Sequence, residues 1–317
     1  MTVERAPTRE YHTGTMDSHR WDAFQPRPDD IIVATYPKCG TTWTQRIVDL
    51  LINQSPEPRQ FMTAAPWLDA TFFAPNDVNL AMLEAQTHRR SVKSHLPLDA
   101  LPIYAGLKYI HVVRDGRDAC MSFHNHMLGF MPERRAAIMA EAQAAGATPA
   151  TRMMETPEDP RAFYLQWIAE AEAGTSASAD LSFFDFENTY WSERRRPGML
   201  FVHYADLKAD LEGEMRRISD YLGIATPPAL LPKLADAARF ETMKAQGEDM
   251  MPQLRMAFDH GAERFINKGT NGRWKDVLTA DDLARYHAMV AAKFTPAQAR
   301  WIEHGRLVAG DPRELGD

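Results

Sequence analysis

An apolar run, a tight polar turn and a helical repeat follow one another near the start of the chain, and this order limits the possible folds. Residues 31–35 (IIVAT) form a β-branched run, which is typical of a strand buried on both faces of a parallel sheet. After the turn YPKCGTT, the apolar residues Trp43, Ile47 and Leu50 recur at helical spacing. The segment therefore predicts a strand, a loop and a helix.

Two more segments repeat the same order. Residues 109–113 (YIHVV) precede an Asp-rich turn that can begin a helix. Residues 199–204 (MLFVHY) precede an apolar helical stripe, for which Asp206 is the expected cap and Gly223 the expected end. Three strand–helix units predict an α/β protein with a central parallel sheet flanked by helices.

The length of 317 residues is ample for one large core. Residues 1–28 are polar and contain proline, so we expect an N-terminal arm on the surface. Residues 29–317 are predicted to form a single domain. A stretch rich in Ala, Met and Glu, at about 128–197, predicts a helical insert with helices at 133–145 and 161–173.

Composition excludes several classes of function. The chain has 36 Lys and Arg against 43 Asp and Glu, a net charge of −7, which argues against a general nucleic-acid binder. We see no apolar run near the roughly 20 residues that span a bilayer. The two cysteines, Cys39 and Cys120, have no metal-binding spacing, so we expect no metal centre, no disulfide framework and a reducing cytoplasm.

The first turn has the residue types of an anion site. Gly40 permits close backbone approach, Lys38 supplies charge, and Thr41 and Thr42 offer hydroxyls at the start of a helix. The turn is not a Walker A motif, because that motif places its lysine after the glycines and Lys38 precedes Gly40. An ordinary strand–helix turn with a solvated lysine explains the same residues.

Five motifs in order give the chain a resemblance to the cytosolic-type sulfotransferases. These enzymes transfer a sulfuryl group from 3′-phosphoadenosine 5′-phosphosulfate (PAPS) to an acceptor hydroxyl or amine, on a P-loop-like architecture. The motifs are YPKCGTTW (36–43), VKSHLPLDALP (92–102), VVRDGRDACMSF (112–123), HYADLKADLEGEMRRISDYLGI (203–224) and INKGTNGRWK (266–275). Together they extend from about residue 30 to residue 275, which is most of the chain.

The resemblance implies catalytic roles that make physical sense. It identifies His95 as the general base that removes the acceptor proton. Lys38 and Lys93 would flank the sulfuryl group and neutralise charge on the leaving phosphate. No metal is expected, because sulfuryl oxygens carry less charge than phosphoryl oxygens.

The same resemblance implies a nucleotide site that would release adenosine 3′,5′-bisphosphate. Arg114 and Ser122 would hold the 3′-phosphate, and Trp43, Tyr204 and Phe240 would contact the adenine. The implied PAPS-binding residues are Lys38, Cys39, Gly40, Thr41, Thr42, Trp43, Arg114, Ser122, Tyr204, Phe240, Asn267, Lys268 and Gly269.

The chain departs from the family pattern in three places. Asn267 stands where the late loop RKGxxGDWK has its arginine, and Arg273 stands where that loop has its aspartate. The family's dimer signature KxxxTVxxxE is not matched, because Ala280 and Ala284 occupy two of its positions. Asn267 is expected to give the 3′-phosphate one neutral hydrogen bond, and the oligomeric state is left open.

Two other functions compete with sulfuryl transfer. A P-loop-like nucleotide kinase should carry a Walker A motif and use Mg²⁺. A non-catalytic nucleotide-binding protein could use the same cleft but would not need a base such as His95. Apolar residues around Phe72 and Phe73, and in the insert, predict a small apolar molecule as the acceptor.

Overall fold

A computed structural model describes residues 1–147, 156–174 and 181–316. Its strands are β1 (Val3–Arg5), β2 (Ile31–Thr35), β3 (Ser91–Ser94), β4 (Ile103–Tyr104), β5 (Lys108–Val113) and β6 (Met199–His203). The central sheet is entirely parallel and has the order β3-β2-β5-β6, while β1 and β4 pair antiparallel. The prediction of an α/β fold with a central parallel sheet flanked by helices is confirmed.

Helices connect these strands and cover the sheet. They are α1 (Thr41–Asn53), α2 (Phe61–Ala64), α3 (Asn76–Glu84), α4 (Gly116–Gly129), α5 (Pro132–Ala144), α6 (Pro160–Glu172), α7 (Phe183–Trp191), α8 (Tyr204–Ala209), α9 (Leu211–Leu222), α10 (Leu231–Ala237), α11 (Phe240–Ala245), α12 (Gly247–Met250), α13 (Gly261–Phe265), α14 (Ala280–Lys293), α15 (Pro296–His304) and α16 (Arg306–Ala309). Among the helices described, none has the length and apolar character needed to cross a membrane.

The two faces of the sheet bury separate hydrophobic clusters. Ile31 and Val33 belong to one cluster, with residues of α1, α9 and α10. Ile32 and Ala34 belong to the other, with residues of α4, α6 and α7. Successive side chains of a strand point to opposite faces, so a strand covered on both sides must be apolar throughout. This explains why β2 is apolar over nearly its whole length.

The predicted elements lie where the sequence places them, with the ends of α5 and α6 displaced by one residue, but one cap differs. Gly223 ends α9 in a left-handed conformation with φ of 68°, as predicted. Asp206 does not begin the stripe-bearing helix. His203 caps α8, and Asp210 caps α9 by accepting the N–H of Gly213. The Asp206 carboxylate instead accepts backbone N–H groups at the start of α16, because α8 intervenes between β6 and α9.

The N-terminal residues pack on the domain. Strand β1 pairs with β4, and Trp21 is buried with its Nε1 donating to Asp69 Oδ1 at 3.3 Å. The boundary at residue 28 stays a prediction. Within the predicted insert the structure has α5, α6 and α7, while its residues 148–155 and 175–180 lie outside the described part of the chain.

Candidate active site

The carboxyl ends of all four parallel strands meet at one edge of the sheet and line one cavity. Lys38 follows β2, His95 follows β3, Arg114 follows β5 and Tyr204 follows β6. The cavity has a volume of about 330 Å³. Ligands of open α/β sheets commonly bind at this edge, so the topology alone brings these four residues together.

Nearly all the residues predicted from the motifs line this cavity. They are Lys38, Gly40, Thr41, Thr42, Trp43, Lys93, His95, Arg114, Ser122, Tyr204, Phe240, Asn267, Lys268 and Gly269. Cys39 is the exception, since its side chain is fully buried and its N–H donates to the carbonyl of Tyr36. Burial also raises the pKa of the Cys39 thiol well above its ordinary value. The prediction that Cys39 contacts the ligand is therefore not supported.

Hydrogen bonds fix the orientation and tautomer of His95. Its Nδ1 lies 2.8 Å from the carbonyl oxygen of Thr35, and a carbonyl can only accept, so Nδ1 carries the proton. Its backbone N–H donates to Asp69 Oδ2 at 3.0 Å, and the Trp67 ring packs edge-on against the imidazole. The neutral ring therefore keeps its lone pair on Nε2.

His95 is held neutral by its surroundings. Burial lowers the pKa of His95 well below 6.5, and the charges of Lys93 and Lys38 lower it further. The hydrogen bond to Thr35 opposes this shift without overcoming it. A neutral imidazole with a lone pair on Nε2 can accept a proton over the whole physiological pH range.

Lys38 is held in the cavity by neutral groups. Its ammonium lies 3.3 Å from His126 Nδ1 and 4.5 Å from the centre of the Phe265 ring. Burial lowers the pKa of Lys38 to about 7, with repulsion from Lys93 and Arg114 contributing. Among the described residues no carboxylate forms an ion pair with it.

Lys93 has a similar environment in the same cavity. Its ammonium lies 3.8 Å from the centre of the Trp67 ring. Burial lowers the pKa of Lys93 to about 8, although the charge of Asp69 opposes the shift. Both lysines lose their protons more easily than a solvated lysine does, and an anion bound between them would reverse this.

Arg114 is fixed by the late loop of the chain. Its Nη2 donates to the carbonyl of Thr270 at 2.8 Å and to Asn271 Oδ1 at 3.0 Å. The guanidinium lies 4.2 Å from the centre of the Tyr204 ring. Its Nε is buried and has no hydrogen-bond partner among the described residues. One donor of Arg114 is therefore left unsatisfied.

Two glycines and an unpartnered amide also fit an anionic nucleotide. Gly40 has φ of 114°, and a Cβ there would lie 3.0 Å from the Tyr204 ring. Gly269 has φ of 62°, and a Cβ there would clash with the Phe240 ring. Asn267 Nδ2 is buried and has no partner within the described part of the chain. Exposed backbone, unpaired donors and aromatic rings are the groups that bind phosphates and a base.

Much of the cavity wall is apolar. Trp67 contacts Phe72 and Phe73 through its ring, with centroids 5.4 and 5.5 Å apart. The other apolar side chains that line this cavity include Met16, Phe61, Met62, Phe123, Met127, Phe130, Met251, Leu254, Phe258 and Phe265. Such a surface favours an apolar ligand, and the flexible methionines allow it to adapt in shape.

Sequence reasoning missed two residues that shape this site. Asp69 accepts the backbone N–H of His95 and the Nε1 protons of Trp21 and Trp67. A lone aspartate in the apolar stretch APWLDATFF was the available signal, because a buried carboxylate needs donors. His126 contacts Lys38 but looks like any other helical histidine in the sequence.

Comparisons with known proteins agree on one family. The chain matches the family described as Sulfotransferase domain over residues 28–297. It is 32% identical over 313 residues to a glycolipid sulfotransferase of Mycobacterium bovis, covering 93% of this chain and 94% of that protein. It is 26% identical to mouse sulfotransferase 1B1 over 87% of this chain and 86% of that protein.

Solved structures share the fold. Mouse sulfotransferase SULT7A1 complexed with PAP superposes with a TM-score of 0.62 at 18% identity, covering 86% of each chain. Retinol dehydratase in complex with androsterone and the inactive cofactor PAP gives a TM-score of 0.65 at 22% identity, covering 87% of this chain and 83% of that one.

The depressed lysine pKa values predict proton uptake when an anion binds. At pH 8 Lys38, with a pKa of about 7, is largely neutral and Lys93, with a pKa of about 8, is half neutral. An anion favours both ammonium forms, so binding of adenosine 3′,5′-bisphosphate should take up about one proton. The measurement is calorimetry at pH 8 in buffers of different ionisation enthalpy.

The control is the same titration at pH 6, where both lysines already carry their protons and no uptake is expected. Lys38→Met should remove more than half of the uptake at pH 8, because Lys38 is the more neutral of the two. Equal proton uptake at pH 6 and pH 8 would contradict the assignment to the lysines.

Proposed function

This chain belongs to the sulfotransferase family and transfers sulfuryl groups from PAPS, and from that premise we propose how its own residues serve the reaction. The observation that carries the proposal is one cavity with a neutral, oriented His95 beside cations that have no carboxylate partner among the described residues. Cationic and donor residues and apolar side chains both line this cavity. The nucleotide would bind among the first, at a cationic end, and the acceptor among the second, at an apolar end.

The cationic end is proposed to hold PAPS, which supplies the sulfuryl group. Lys38 and the backbone N–H groups at the start of α1 would bind its 5′ end, because a helix N-terminus attracts anions. Arg114 and Ser122 would bind the 3′-phosphate, together with Asn267 and the loop at Lys268. The unpartnered donors on Arg114 and Asn267 support this assignment.

The adenine would lie among three aromatic residues. Trp43 packs edge-on against Tyr204 with ring centroids 5.3 Å apart, and its Nε1 donates to the carbonyl of Ala238. Phe240 lies against Gly269. These contacts fix the rings before any ligand binds, so they offer a preformed surface for stacking.

His95 is proposed to be the general base. Its Nε2 would accept the proton of the acceptor hydroxyl or amine as that group attacks the sulfur atom. The Thr35 carbonyl would hold the ring in place and stabilise the imidazolium that forms, since Nδ1 remains its donor. Lys38 and Lys93, once protonated, would stabilise the negative charge that grows on the leaving phosphate.

The acceptor is proposed to be a small molecule with a hydroxyl or amine on an apolar body. Trp67 packs against His95 with ring centroids 4.8 Å apart, so the apolar end begins at the base. An acceptor held by this end would present its polar group to His95. The name of the 32% identical relative, a glycolipid sulfotransferase, supports an acceptor with a large apolar part.

We also keep a cytoplasmic location as a proposal. Cys39 and Cys120 are both buried, and neither forms a disulfide within the described residues. This is the state expected of cysteines in a reducing compartment.

The two competing functions are not favoured. The family match is to sulfotransferases, and Lys38 precedes Gly40 instead of following the glycines as in a Walker A motif. A protein that only bound a nucleotide would have no use for a histidine held neutral beside the nucleotide end.

Replacing the proposed base should reduce turnover and leave nucleotide binding intact. A positioned general base contributes roughly 10²–10⁴-fold to a rate, so His95→Ala should lower kcat by that factor. The affinity for adenosine 3′,5′-bisphosphate should stay within about twofold. His304→Ala, which removes an exposed histidine, is the matched control. Wild-type turnover in His95→Ala would show that His95 is not the base.

Activity should not depend on added metal, because lysines supply the charge that the reaction needs. Sulfuryl transfer from PAPS should persist in EDTA. Adenosine 3′,5′-bisphosphate without Mg²⁺ should stabilise the fold by about 2.7 kcal/mol at a hundredfold excess over its Kd, which thermal unfolding measures. A strict Mg²⁺ requirement for both would favour the kinase alternative.

A further inference from the structure

Two departures from the family pattern lie six residues apart in one loop. The late loop at residues 266–275 lacks the arginine at Asn267 and gains one at Arg273. Both residues line the cavity beside Arg114. The chain has therefore kept the number of guanidinium groups in this loop and has changed the position from which one of them comes.

The backbone around Arg273 is fixed to the helix that carries Ser122. The N–H of Gly272 donates to Asp118 at 2.9 Å, and the N–H of Arg273 donates to the same carboxylate at 3.2 Å. Asp118 lies in the first turn of α4. Arg114 stands just before that helix and also donates to Thr270 and Asn271 of the loop, so hydrogen bonds join the loop to the predicted 3′-phosphate residues.

The guanidinium of Arg273 is half-buried. Within the described residues it forms no hydrogen bond or ion pair with any other side chain. Its surroundings oppose its charge, since burial and the charges of Arg114 and Arg264 lower its pKa, and only Asp118 acts in the other direction.

Three residues that line the same cavity carry donors without partners among the described residues. Arg114 Nε and Asn267 Nδ2 are two of these donors, and the guanidinium of Arg273 is the third. Charges of the same sign in such a site repel one another until an anion enters. An anion with two negative charges, such as a phosphate monoester, would relieve that repulsion most.

We propose that Arg273 supplies the second guanidinium of the 3′-phosphate site, in place of the arginine that is absent at position 267. The proposal rests on the proposed PAPS site, within which it identifies a binding residue. The planar fork of an arginine matches phosphate oxygens and gives a charge-assisted bond, about twice as strong as a neutral one. Asn267 then contributes the neutral hydrogen bond and Arg273 contributes the charge.

The test compares two nucleotides that differ at the 3′ position. Arg273→Ala should weaken binding of adenosine 3′,5′-bisphosphate roughly tenfold or more, as expected for a hydrogen bond to a charged group. Adenosine 5′-phosphosulfate lacks the 3′-phosphate, so its affinity should change by less than about twofold. Titration calorimetry measures both affinities without any turnover.

Lys275→Ala is the matched control. Lys275 is an exposed cation in the same loop, and its loss should leave both affinities within about twofold. If a lower Tm shows that Arg273→Ala disturbs folding, Arg273→Gln can replace it, because glutamine retains most of the side chain. Arg273→Gln should weaken binding of the bisphosphate selectively. The proposal would be overturned if either variant weakened the binding of both nucleotides equally.

A second arrangement tests whether the two positions substitute for each other. In an Arg273→Ala background, Asn267→Arg should restore bisphosphate affinity to within about threefold of wild type. In the wild-type background Asn267→Arg should tighten binding little, because a third guanidinium would enter an already repulsive site. A different result would be that Asn267→Arg tightens bisphosphate binding in the wild-type background while Arg273→Ala does not weaken it. This result would show that the 3′-phosphate lies away from Arg273.

Failure of this inference differs from failure of the proposed function. If the wild-type protein bound the bisphosphate no more tightly than adenosine 5′-phosphosulfate, the 3′-phosphate site itself would be wrong. If the wild type prefers the bisphosphate and Arg273→Ala keeps that preference, only the role of Arg273 is wrong. Unchanged binding with a raised KM for the acceptor would assign Arg273 to the acceptor end and overturn the proposal.

Discussion

The parallel register of β2 with its two neighbours is the constraint on which the rest of the structure depends. Ile31 pairs with Ser91 of β3 and with Lys108 of β5, so the three strands end at nearly the same level. The Lys38 loop, His95 and Arg114 follow these strand ends and therefore lie at one edge of the sheet. A shift of one residue would exchange the two faces of a strand and would separate His95 from the Thr35 carbonyl.

The cationic side chains that line the cavity repel one another. The protein carries a net charge of −7, yet Lys38, Lys93 and Arg273 line one cavity and, among the described residues, have no carboxylate in an ion pair. Burial is the main cause of their lowered pKa values, and repulsion from neighbouring cations adds to it for Lys38 and Arg273. The fold therefore holds cations in an unfavourable arrangement, and a bound anion is what balances it.

A feature could be predicted from the sequence when the residues that form it are neighbours along the chain. The strands β2, β5 and β6 have apolar runs that predict them, because both faces of the sheet are buried. By contrast, β3 (SVKS) is short and mostly polar, so its sequence gives no such signal. Asp69 was missed because two of its donors, Trp21 and His95, come from distant segments that only the fold brings together. The role of Cys39 stays a prediction, because its side chain is fully buried while its neighbours Lys38 and Gly40 line the cavity, a difference that the loop sequence does not indicate.

The hydrogen bond that orients His95 comes from the main chain. Every residue has a backbone carbonyl, so no substitution at position 35 can delete the acceptor that Nδ1 uses. A carboxylate partner could be lost by one point mutation, and it could also be neutralised by acid. The acceptor that aligns the imidazole is therefore lost neither by substitution of residue 35 nor by a change of pH, provided that β2 and β3 stay paired.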